Sequence, residues 1–242
     1  MIATGFELVL LLVGAFVGAL VTAVCGFGGG ILILPLIVAI VGPRAAVPLI
    51  TFMLVFSNAT RLLLLRRWVD WPLALRYTAG AVPAAVLGGI LFVRLPAGFI
   101  TRGIGVFLIL SVILNRWNRV RLPHRHQWIF YPAGALVGFF SAIWGAIGPL
   151  AVPFFLAARL GKEAFVGTLA FGALVMHIAK TVTYGRFDLL SDELVRTGLI
   201  LGALMIAGAW TGTRILHRTD PRIFRIAVDI LLVIVGVIFL VQ

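Results

Sequence analysis

Hydrophobic positions along this chain come in long runs rather than in the alternation of a half-buried strand or the narrow stripe of a surface helix. A helix crossing a bilayer needs about 20 mostly apolar residues. Runs of that order fall at Phe6–Val24, Ala45–Arg66, Leu73–Val93, Phe99–Ile113, Ala164–Tyr184, Val195–Arg214 and Ile223–Val241. Three more, Ile31–Val41, Trp128–Ile143 and Leu150–Leu160, reach only about 17–24 Å at the helical rise, against a hydrocarbon core of about 30 Å. Short apolar segments of this kind predict broken or re-entrant helices. These are tolerated at membrane depth only where protein or a water-filled cavity satisfies the freed backbone groups. The expected fold is all-α: a polytopic membrane helix bundle.

The main polar interruption, Asn115–Gln127, divides the chain into a first transmembrane repeat (1–118), a basic cytoplasmic linker (119–127) and a second repeat (128–242). Features recur in order across the two halves. Gly14-Ala15-Phe16-Val17-Gly18 resembles Gly134-Ala135-Leu136-Val137-Gly138. Each is followed by a Gly-rich break, Gly26-Phe27-Gly28-Gly29-Gly30 or Gly145-Ala146-Ile147-Gly148, and then by a proline, Pro35 or Pro153. The next long segment carries Asn58-x-x-Arg61 in one half and His177-x-x-Lys180 in the other. With five segments per half, the second half is inverted relative to the first. Inverted repeats are a recurring transporter design, with substrate held near the midplane where broken helices meet.

Composition narrows the function classes. Of 242 residues, 62% are hydrophobic and 12% charged, well away from the roughly 45–50% and 25% of soluble domains. Twenty Lys and Arg against eight Asp and Glu give a formal charge of +12. In a membrane protein this reflects basic cytoplasmic loops rather than a nucleic-acid partner. Placing Asn115–Gln127 inside gathers Arg66, Arg67, Arg76, Arg159, Lys162, Arg214, Arg218, Arg222 and Arg225 on the same side. Arg44, Arg94, Arg102, Arg186 and Arg196 fall outside, with the acidic Asp188, Asp192 and Glu193. Both chain ends are then outside. The single cysteine, Cys25, allows no internal disulfide and reads as a small packing residue. Met1–Glu7 has no basic leader of a cleaved signal.

Candidate chemistry lies at the breaks. Gly28, Gly29 and Gly30 let the backbone turn and approach a ligand, and the amides opening the following half-helix favour an anion. Gly145 and Gly148 are their counterparts, and Pro149 suits a first helical turn. Close helix packing is the rival reading. A nucleotide loop would need a Gly-Lys-Ser/Thr that is absent. Asn58 shares a helix face with Arg61, as His177 does with Lys180. Ionisable residues at membrane depth face a cavity or a partner, although Arg61 and Lys180 are near enough to their segment ends to snorkel to the headgroups. His177 serves either as a structural hydrogen-bonder or as a proton carrier. Asp229 reads as a partner of Arg225, His124 and His126 as too few for a metal site, and Trp68, Trp71, Trp117 and Trp128 as interfacial anchors. The set is net positive and fits a small anion. No cofactor is called for, and HExxH, GxSxG and paired intramembrane Asp motifs are absent, so no enzyme is expected.

At Gly28-Gly29-Gly30…Pro35, at Gly145–Pro153 and at Val166-Gly167-Thr168 followed by His177 and Lys180, the sequence resembles the sulfite exporter TauE/SafE family. The two halves and the basic loop between them fit that pattern across nearly the whole chain. The second break departs from it, with Gly145-Ala146-Ile147-Gly148 where a denser glycine run is expected. The resemblance implies a multi-pass transporter of the bacterial plasma membrane, exporting sulfite, organosulfonates or related sulfur-containing anions. The substrate-binding set would be Gly28, Gly29, Gly30, Asn58, Arg61, Gly145, Gly148, His177 and Lys180. The partners would be the anion, the lipid bilayer and a coupling proton or ion. A passive anion channel is the alternative.

Overall fold

The computed structural model describes residues 5–103, 106, 124–145, 147–220, 222–224, 226 and 230. These form eight α-helices: α1 (Gly5–Cys25), α2 (Gly29–Val41), α3 (Pro43–Leu65), α4 (Trp71–Arg94), α5 (Phe130–Trp144), α6 (Val152–Ala157), α7 (Lys162–Arg186) and α8 (Asp192–Arg218). Short 3-10 turns occupy Arg66–Trp68, His124–Ile129 and Gly148–Leu150, and residues 97–103 are also helical. Among the described residues there is no strand. Five helices, α1, α3 with its 3-10 extension, α4, α7 and α8, are long and apolar enough to cross a membrane. They match five of the expected spans to within a few residues. The expected short segments appear as α2, α5 and the pair of Gly148–Leu150 and α6. Most of Phe99–Ile113 and Ile223–Val241, much of the basic linker, the Asp229–Arg225 pair, Trp117, and the side chains of His124 and His126 lie outside the described residues.

Local signals set the element ends. The side chain of Asp70 accepts from the Leu73 amide at 3.1 Å at the start of α4, with Pro72 in the first turn. Ser191 accepts from the Leu194 amide at 3.3 Å at the start of α8. Each side chain satisfies a donor that would otherwise lack a partner at a helix start.

Between the long helices, small residues let backbones touch, which is how membrane helices gain contact in a solvent as apolar as their side chains. A Cβ at Gly80 would sit 2.0 Å from the Tyr131 carbonyl, and one at Gly212 would sit 2.5 Å from that of Leu20. The order of such contacts fixes the helix directions. Gly80 and Gly88 of α4 meet Tyr131 and Phe139 of α5; Gly208 and Gly212 of α8 meet Phe16 and Leu20 of α1; Gly198 and Gly202 of α8 meet Phe52 and Phe56 of α3. Tyr77 of α4 meets Gly172 of α7, and Gly89 meets Thr183. Each of these pairs is parallel. α7 and α8 are antiparallel, because the Lys162 ammonium at the start of α7 donates to the Leu216 carbonyl at the end of α8, 2.7 Å away. Hence α1, α3 and α8 run one way and α4, α5 and α7 the other.

These directions sort the charges onto two ends. Lys162, Glu163, His217 and Trp68 meet at one end, where Glu163 pairs with Lys162 at 3.3 Å and His217 at 3.7 Å, and Trp68 lies against His217. Arg66, Arg67, Arg159 and Arg218 share this end by their positions at the same helix termini. At the opposite end the Arg44 guanidinium donates to the Leu95 carbonyl at 2.8 Å. Trp68, Trp71 and Trp128 are exposed, as expected of residues at a membrane surface.

Candidate functional site

Both glycine breaks interrupt helices, and they touch. α1 stops at Cys25, and the chain reverses through Gly26 (φ +88°) and Gly28 (φ +101°), a backbone region that L side chains rarely adopt. The returning α2 packs so closely that a Cβ at Gly29 would fall 1.7 Å from the Gly18 carbonyl oxygen. Thr22 ties this hairpin: its hydroxyl donates to the Gly18 carbonyl at 2.8 Å and accepts from the Gly29 amide at 2.8 Å. In the second half α5 stops at Trp144, Gly145 takes φ +86°, and the turn Gly148–Leu150 leads into α6. Ser141, four residues before Gly145 as Thr22 is four before Gly26, donates its hydroxyl to the Gly145 carbonyl at 2.7 Å. A Cβ at Gly148 would be 3.2 Å from that of Phe27.

Where the breaks meet there is a cavity of about 70 Å³, room for roughly five water-sized bodies and hence for a small polyatomic anion. Thr22, Gly26, Phe27, Gly28, Gly30 and Ile31 line it from the first break; Ser141, Ile147, Gly148 and Ala151 line it from the second. α3 contributes Leu54, Asn58 and Arg61, α7 contributes Leu169, Ala173, Met176 and His177, and Tyr77 and Val137 complete the wall.

Arg61 is 2% exposed and does not snorkel. One terminal nitrogen donates to the Thr22 and Gly26 carbonyls at 3.3 and 3.2 Å, and the other donates to Asn58 Oδ1. Its Nε has no partner. Asn58 Nδ2 donates to the Leu54 carbonyl at 2.7 Å. Asn58 thus orients the guanidinium, with its oxygen already engaged. His177, 4% exposed, lines the cavity with Nδ1 unpartnered. Lys180 is 0% exposed and likewise does not snorkel. Its ammonium donates to the Ser141 carbonyl at 3.1 Å and to the Ser141 hydroxyl at 2.8 Å. Among the described residues no carboxylate pairs with Arg61 or Lys180, and none lines the cavity.

Of the nine residues expected to bind substrate, the structure gathers Gly28, Gly30, Asn58, Arg61, Gly148 and His177 around one space. Gly29 faces Gly18 instead, Gly145 faces Leu34 and Ile50, and Lys180 sits behind Ser141; none of the three lines the cavity. Thr22 and Ser141 were missed, although a hydroxyl residue four before each break was visible in the sequence. Cys25 is buried.

Membrane-length helices packed about two touching interruptions, with a buried guanidinium between them that no carboxylate among the described residues pairs, define a multi-pass membrane protein with an internal cationic site. The family model described as Sulfite exporter TauE/SafE matches residues 10–239. The chain belongs to that family, whose members are membrane exporters of sulfite and related anions, transporters rather than enzymes. No curated protein and no solved structure matched the chain.

Proposed function

We propose that the chain is a secondary transporter, working as an exporter, of small sulfur-containing anions such as sulfite or organosulfonates, in the bacterial plasma membrane.

 The carrying observation is that Arg61 is buried at the junction of the two breaks with no carboxylate partner among the described residues and with Nε unengaged. A buried charge needs a partner, and a small anion in the cavity supplies one. Arg61 Nε and His177 are the side-chain donors for its oxygens, with the backbone at Gly28, Gly30 and Gly148 alongside. Asn58 positions Arg61, and Lys180 adds positive potential from behind Ser141.

Residues 1–118 and 128–242 form inverted repeats in this reading, joined by the linker 119–127. The opposite directions of α1 and α5, of α3 and α7, and of α4 and α8 support it. So does the exchange of partners, in which α1 packs on α8 while α5 packs on α4. The more basic end, with Lys162, is cytoplasmic by the distribution of positive charge. Transport proceeds by alternating access, coupled to a proton or ion gradient.

Counterflow in proteoliposomes tests the mechanism. Labelled sulfite should enter faster when unlabelled sulfite is trapped inside, because a carrier returns loaded. Sulfite flux without trans-stimulation would replace the carrier with a passive anion channel.

A further inference from the structure

Both breaks are held by a buried cation from the facing long helix, but the two grips differ. At the second break α7 holds the end of α5 twice. Lys180 donates to the carbonyl and hydroxyl of Ser141, and one turn on the Tyr184 hydroxyl donates to the Ala142 carbonyl at 2.5 Å. Both side chains are 0% exposed and neither lines the cavity. Pro149, with a ring-fixed φ, opens the turn that follows this break. At the first break Arg61 grips alone, through two carbonyl contacts of 3.2 and 3.3 Å that lie at the long end of the hydrogen-bond range. The residue four further on, where Tyr184 stands relative to Lys180, is Leu65, which cannot donate. Two glycines of positive φ, Gly26 and Gly28, form this turn. Arg61 also lines the cavity.

We propose that the breaks divide the work: the second is a fixed wall, and the first is the moving gate, released when an anion in the cavity draws the Arg61 guanidinium away from the Thr22 and Gly26 carbonyls. A charge-assisted bond to an anion is shorter and stronger than one to a neutral carbonyl, so the occupant of the cavity competes directly with the grip on α1. Lys180 and Tyr184 make no contact with the cavity and hold α5 whether or not it is filled. This rests on the anion-site reading above.

Amide exchange of the full chain in nanodiscs, followed by mass spectrometry with sulfite, sulfoacetate and a gluconate control, tests the division. Thermal shift run in parallel reports whether each anion binds. With a bound anion, exchange at 26–32 should rise severalfold while 147–151 stays unchanged. Binding with no change at the first break, or with equal changes at both, overturns the proposal. If no anion shifts the melting curve, the anion-site reading fails separately, and ligand-free variants decide the division. Arg61→Gln should raise exchange at the first break about tenfold, the factor one lost hydrogen bond carries. Lys180→Met, with Tyr184 still in place, should raise exchange at the second break by less than Arg61→Gln raises it at the first. The reverse pattern overturns the proposal. Should Arg61→Gln not fold, Asn58→Ala, which frees the other end of the guanidinium, takes its place with the same expected direction.

Discussion

Replacing Arg61 with methionine separates what this residue does for the fold from what it does for an anion. In the empty protein two contributions oppose each other. The variant loses the bonds to Thr22, Gly26 and Asn58, each worth about 0.5–3 kcal/mol depending on how fully the charge contributes. It also sheds the desolvation penalty of an unpaired ion, itself several kcal/mol. The difference should lie within about 2 kcal/mol, which for a chain of this size moves the melting temperature by no more than about 8 °C. The anion has no such compensation. A unit charge about 4 Å from the guanidinium gains about 4 kcal/mol at an effective dielectric constant of 20, and each 1.4 kcal/mol is about tenfold in affinity. Sulfite affinity should therefore fall by about three orders of magnitude. A thermal-shift titration reads both quantities, because ligand stabilisation follows occupancy. The wild-type and variant curves should begin close together, with the sulfite response displaced to about a thousandfold higher concentration. A response at the wild-type concentration would refute the anchoring role of Arg61, and collapse of the empty variant would refute the energetic balance.

Asn58→Asp places a carboxylate against Arg61 and supplies an internal counter-ion. The same titration should show anion binding lost with the melting temperature of the empty protein held or raised, whereas unchanged binding would remove Arg61 from the site. Alanine at the two breaks should act for different reasons. At Gly29 the new Cβ lies 1.7 Å from the Gly18 oxygen and 2.3 Å from Thr22 Oγ1, so α1 and α2 must part, at a cost of about 3 kcal/mol or more. At Gly145 nothing is nearer than 3.6 Å, and only the backbone conformation, φ +86° with ψ −112°, opposes it, at about 1–3 kcal/mol. Melting temperatures in the opposite order would contradict this packing.

Much of the bundle was legible because lipid imposes one severe requirement: backbone groups must be satisfied within the segment or by protein around it. The long apolar runs therefore had to be helices, and the short runs framed by glycine had to be breaks. Which groups face the cavity was not legible in the same way. Gly28, Gly29 and Gly30 are adjacent and chemically identical in sequence, yet the turn at Gly26 and Gly28 aims Gly29 at Gly18. The spacing of Asn58 and Arg61 placed them on one helix face, but it did not show that the amide oxygen of Asn58 is engaged by its neighbour. Nor did it show Lys180 held behind Ser141, because that depends on how α7 crosses the end of α5.

The placement of Lys180 changes the electrostatic description of the site. A helix that ends inside a membrane leaves carbonyls without intrahelical partners at the negative end of its dipole, and a cation is suited to meet them. Lys180 does this for α5, and Arg61 does it for α1. The positive charge counted in the sequence therefore serves the scaffold first, and only the part not engaged by helix ends is available to a ligand. Lys180 has no face on the cavity, while Arg61 lines it and keeps one nitrogen, Nε, without a partner. In the proposed site an anion thus meets one directly contacting fixed cation rather than two. A monoanion is matched by Arg61 alone, and the second charge of a dianion must be met by His177 and the amides of the breaks. If Arg61 anchors the anion as proposed, discrimination between singly and doubly charged substrates should be controlled at His177, which lines the same cavity.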